Sequence, residues 1–139
     1  MRISLILLWL CSASVAFAGC GELPLASTHR DDGSIISVIV PEAQQLASPR
    51  WSPEDGEPPL ALSQAITLGL TWARGHYTRF DEVEIDSVSL SRIGCSDLRD
   101  RWYYLVHFSL KIEGQRLFGS GNFAAVLMDG TVVPPTVRE

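Results

Sequence analysis

The groups in this 139-residue chain best suited to metal binding, proton transfer or nucleophilic attack are three histidines and three cysteines. His29 stands in a charged stretch beside Asp31 and Asp32, His76 near the end of a helical segment, and His107 on a strand. None shows a ligand spacing such as H-x-x-x-H, and Cys95 has no neighbouring cysteine, so the pattern implies no metal site and no cofactor. A thiol nucleophile needs a base within hydrogen-bond reach, and Cys95 with His107 is a pair that a loop and an adjacent strand can bring together. Any chain with one free cysteine and three histidines offers such a pair, so no catalytic residue is assigned from it. Glu82, Glu84 and Asp86 alternate, which presents a carboxylate row to a cation or a basic partner, or simply a solvated strand face. Gly119-Ser120-Gly121 lacks the strand-to-helix setting of a phosphate loop and reads as a bulge or bend.

Cys20 depends on its N-terminal neighbours. Arg2 is followed by an apolar core, Ile3 to Leu10, and then by small residues. That is the form of a secretory signal peptide, and the core is far shorter than the ~20 residues that span a bilayer. Ala16-Phe17-Ala18 is an A-x-A cleavage site that would release a chain beginning at Gly19. Phe17-Ala18-Gly19-Cys20 also resembles the bacterial lipobox, with Ala18, Gly19 and Cys20 matching and Phe17 departing from its usual aliphatic residue. The resemblance implies a lipid attached to Cys20, which then becomes the N-terminus, and a lipid anchor there is expected. Cys11 leaves with the leader, so in an oxidising compartment Cys20 could instead pair with Cys95. The two fates exclude each other.

Loss of Arg2 with the leader changes 11 basic residues against 16 acidic ones to 10 against 16, a net of −6. Such a balance argues against a nucleic-acid partner, which needs clustered positive charge. There is no second long apolar run, so membrane contact is expected only through an anchor at Cys20.

The histidines, Cys95 and the carboxylate row must be positioned by the rest of the chain. Residues 20–58 are rich in proline, glycine and charge, as in "STHRDDGS" and "SPRWSPEDGEPP", and read as an exposed linker. Its apolar island, Ile35 to Val40, could add an edge strand, and Trp51 could hook onto the domain. Residues 59–139 are regular. Leu62, Ala65, Ile66, Gly69, Leu70, Ala73 and Tyr77 recur at helical spacing, with Ser63 as the expected N-cap. Ala65, Gly69 and Ala73 would leave a shallow groove that lets the helix lie close to a sheet. Gly69 costs roughly 1 kcal/mol of helix propensity relative to Ala, so close packing is the reason to tolerate it.

Strands succeed the helix. In "VEIDSVSLSRI" the phase changes between Ile85 and Val88, which a bulge or a late strand start near Asp86 reconciles. "RWYYLVHFSLKI" alternates cleanly and assigns Trp102, Tyr104, Val106, Phe108, Leu110 and Ile112 to the core. Tyr103, Leu105 and His107 fall on the other face, and the expected partner-binding surface is that face or the free edge of the sheet. Glu113-Gly114 and Asp129-Gly130 mark turns, the second leading into a short last strand. The expected fold is therefore α+β: one N-terminal helix packed on one face of a three- to four-stranded antiparallel β-meander.

That order, with Ala65-Ile66 early in the helix and "VLMDGTVV" at the end, resembles the PepSY-like and cystatin-like small domains of secreted bacterial proteins over roughly residues 59 to 134. The resemblance implies a binding, inhibitory or chaperone-like accessory module rather than an enzyme, and it carries no site residues with it. The expectation is an exported, lipid-anchored binding module of the cell envelope, acting on a protein or peptide partner. The alternative is a small hydrolase-like enzyme using Cys95 or a histidine.

Overall fold

The computed structural model describes residues 20–139, so the expected signal peptide, residues 1–19, lies outside the described residues. The chain runs β1 (Leu23–His29), β2 (Ile35–Val40), α1 (Glu42–Ala47), α2 (Leu62–His76), β3 (Glu82–Arg92), β4 (Trp102–Ile112), β5 (Gln115–Leu117), β6 (Phe123–Leu127), β7 (Val132–Val133) and β8 (Thr136–Arg138). All strand pairs among the described residues are antiparallel. The larger sheet has the order β3-β4-β6-β7, with β5 also on β4, and the smaller sheet has the order β1-β2-β8.

Alternation along β4 creates two cores. Tyr104, Val106, Phe108 and Leu110 face α2, where Ala65, Gly69 and Ala73 are buried against them. A Cβ added at Gly69 would lie 3.4 Å from Val106 Cγ1, so the small-residue stripe does let the helix lie close to the sheet. The helix begins one residue before the expected cap: Ala61 is the N-cap and its N–H donates to Gln64 Oε1 at 3.2 Å. Ser63 lies inside the helix.

The opposite face of the larger sheet is covered too. Tyr103, Phe123, Ala125 and Leu127 pack with Ile36, Val38 and Val40 of β2, and the Tyr103 hydroxyl donates to the Leu25 carbonyl at 2.9 Å. This overturns the expected fold. Among the described residues eight strands form two antiparallel sheets, and the architecture is mostly β rather than one helix on a three- to four-stranded meander. The physical reason lies in β4 itself, because Tyr103 and Leu105 give its second face enough apolar surface to require a cover.

Residues 20–58 supply that cover and are not an exposed linker. "RDDGS" is the turn of the β1–β2 hairpin: Gly33 has φ +84°, and Asp32 Oδ1 accepts from the Ser34 N–H at 2.9 Å and from its hydroxyl. These bonds hold the Asp32 carboxyl below its ordinary pKa. Trp51 is buried edge-to-face against Trp102, with ring centroids 5.5 Å apart. Strand β8 comes after Pro134-Pro135 and joins β2 on its other side, so both ends of the described chain contribute to the smaller sheet.

The local turn and bulge signals hold. The β3–β4 register shifts between Ile85 and Ser87. Glu113 and Gly114 have φ +50° and +75° at the β4–β5 turn, the backbone a two-residue hairpin turn requires. Thr131 N–H donates to Asp129 Oδ1 at 2.9 Å in the β6–β7 turn.

Candidate binding cleft

Strands β5 and β6 both pair with β4, but the chain leaves the sheet between them. Phe108 N–H bonds the Asn122 carbonyl at 2.8 Å, and the Ser120 hydroxyl donates to the His29 carbonyl at 3.3 Å. Gly121 has φ +102°, and a Cβ there would run into Cδ1 of Ile36. Residues 118–122 therefore clip the β1–β2 hairpin onto the larger sheet, and glycine is required at 121 for both backbone and space. Gly119-Ser120-Gly121 is a bend, as its sequence suggested.

Between this clip, β1 and the bulge of β3 lies a cleft of about 390 Å³. Its polar lining includes Thr28, Asp86, His107 and Asn122, over an apolar floor that includes Leu105. His107 is half-buried with its ring centroid 5.6 Å from that of Phe123. Among the described residues, no internal hydrogen bond takes up the His107 ring, the Thr28 hydroxyl or the Asn122 amide. Asp86 pairs with Arg116 at 3.3 Å, and Arg116 Nε donates to Ser109 Oγ at 2.6 Å. The cleft thus offers hydrogen-bonding groups beside a compensated ion pair, within the ~300–1,000 Å³ range of small-ligand sites.

The expected binding face is thereby divided. Tyr103 is only 6% exposed and seals the two sheets together, so it is not available to a partner. Burial pushes its phenol above the ordinary tyrosine pKa. Leu105 and His107 are half-buried and line the cleft rather than an open face. Thr28 and Asn122 escape a reading of the sequence because their segments look like linker and bend.

The chemistry considered from sequence is dispersed. Cys95 is bonded to Cys20 in a disulfide, with Cα atoms 6.1 Å apart, inside the usual range for such bonds. A paired Cys20 has no thiol for the lipid that the leader implies, and a paired Cys95 is no nucleophile. His107 stands five positions along β4 from Trp102, about 16 Å, and Cys95 lies beyond that end. His76 sits at the exposed end of α2, stacked on Trp72 at 4.8 Å. His29 ends β1, exposed.

Lys111 bonds Glu82 at 3.0 Å and Glu84 at 2.8 Å, so the carboxylate row is compensated from the next strand. The Lys111 hydrogen bond holds the Glu84 carboxyl below its ordinary pKa, and the two glutamates hold Lys111 above its own. Among the described residues no group of three or more His, Cys, Asp or Glu is placed to hold a metal ion, and no helix is long and apolar enough to cross a membrane. Compared with known proteins, the chain matches no family model, no curated protein and no solved structure.

Proposed function

We propose that the chain is an exported, non-enzymatic binding or accessory module of the bacterial cell envelope, whose ligand or partner group seats in the cleft at His107. The observation that carries this reading is the half-buried cluster of His107, Thr28 and Asn122, whose hydrogen-bonding groups are not spent on the fold. Polar groups that converge in a concave site beside apolar lining are what a ligand uses for orientation. Export rests on the leader and gains support from the Cys20–Cys95 pair, a bond that persists in oxidising compartments. That pair favours cleavage after Ala18 and a soluble exported protein over one anchored through Cys20. It also leaves the thiol-hydrolase alternative without its nucleophile.

A nitrogen-15 NMR screen of the purified protein against a library of small polar compounds tests the cleft. Hits should shift the resonances of Thr28, His107 and Asn122, and His107→Ala should weaken them without lowering the melting temperature appreciably. Hits that cluster elsewhere, or that bind His107→Ala equally well, would contradict the reading.

A further inference from the structure

Strand β3 ends the larger sheet, so its outer row of backbone N–H and C=O groups has no strand partner among the described residues. Such an edge is a template for another strand unless something blocks it. The first half of β3 is blocked, by the charges of Glu82, Glu84 and Asp86 and by the bulge between Ile85 and Ser87. The second half is not. From Ser87 to Arg92 the register with β4 is unbroken over six residues, about 20 Å, with no charge before Arg92.

The side chains there form two simple rows. Val88 and Leu90 lie opposite Val106 and Tyr104, on the face that carries α2, and Leu90 is 39% exposed. Ser87, Ser89 and Ser91 lie opposite His107, Leu105 and Tyr103, on the other face.

We infer that two copies of this chain pair antiparallel along Ser87–Arg92, about a two-fold axis at Ser89. In that register Val88 meets Leu90 of the partner subunit and Ser87 meets Ser91 of the partner subunit, each on a shared face, which is the matching that stabilises cross-strand pairs. A slip of one residue would set apolar side chains against serines. Charge points the same way. The strand is acidic at its start and basic at Arg92, whose guanidinium lies 5.0 Å over its own Trp102 ring. Antiparallel pairing brings each Arg92 to the exposed Asp86 of the partner subunit, where it would add to the ion pair that Asp86 makes with Arg116. Parallel pairing would set like against like. An extended peptide could use the same backbone groups, but the self-matching of apolar, hydroxyl and charged positions selects a second copy.

Sedimentation equilibrium of the purified protein from low micromolar to millimolar concentration should show the mass rising towards twice the monomer value. Each substitution occurs twice in a two-fold pair, so Leu90→Lys should weaken association roughly tenfold while the melting temperature stays near wild type. Arg92→Glu should weaken it similarly while also giving up the guanidinium's contact with Trp102. Under mild oxidation Ser89→Cys should cross-link to itself. Ser87→Cys and Ser91→Cys should cross-link only when mixed. A protein that stays monomeric throughout, whatever peptide it captures, overturns the inference, as does Ser87→Cys alone linking as readily as Ser89→Cys.

Discussion

Replacing Gly121 by alanine tests whether the clip at residues 118–122 really joins the two sheets. Two costs add. The backbone at φ +102° disfavours a side chain, by roughly 1–2 kcal/mol. The new methyl would also enter the space of Ile36 Cδ1, and overpacking of this kind costs about 1–3 kcal/mol. Gly121→Ala should therefore lose roughly 2–5 kcal/mol in urea unfolding. Ile36→Val removes the obstructing Cδ1 and alone should cost about 0.5–1.5 kcal/mol. If the clash is real, the double variant should be more stable than the sum of the two losses predicts, by about 1–3 kcal/mol, because only the backbone cost at 121 remains. Additivity within about 0.5 kcal/mol would refute the contact between clip and smaller sheet. So would a Gly121→Ala protein as stable as wild type.

Three further outcomes rest on the same packing. Reducing the Cys20–Cys95 bond, or replacing both cysteines by serine, frees a loop spanning 75 positions and should cost about 4.5 kcal/mol on the chain-entropy argument, read as the shift in urea midpoint. Phe108→Ala opens a cavity beneath α2 and should cost about 3–5 kcal/mol by the same assay. Because the Glu84 pKa is lowered, the stability Glu84 contributes is present above the ordinary glutamate range and is lost as pH falls through the lowered value. Lys111→Met should accordingly flatten the acid limb of the melting temperature plotted against pH. An unchanged limb would mean that the ion pair contributes nothing in solution, as many exposed pairs do.

Legibility in the sequence tracks the physics of each segment. Helix α2 and strand β4 are readable because one face of each is apolar at the right period, and the turns at 113–114 and 129–130 because Gly114 and Gly130 tolerate positive φ. The bulge at Asp86 is readable from a phase change alone. The partner of the second β4 face is not. Ile35 to Val40 is a short apolar run between polar, glycine-containing and proline-containing stretches, and nothing local distinguishes an added edge strand from the middle of a second sheet. Pro24 and a register irregularity weaken the pattern of β1, and β8 has only three residues after two prolines. The cleft is hidden for the same reason, since Thr28 and Asn122 reach His107 only once the two sheets are stacked. His107 and Leu105 do lie on the β4 face turned away from α2, but an alternation pattern cannot say whether that side is open or covered.

The Cys20–Cys95 bond leaves Cys20 no thiol for a lipid. Intact mass of the protein recovered from its native envelope fraction measures this directly. The mass should be that of a chain beginning at Gly19, lighter by two hydrogens than its reduced form and carrying no acyl group. A chain beginning at Cys20 with a diacylglyceryl group attached, and Cys95 as a free thiol, would contradict it.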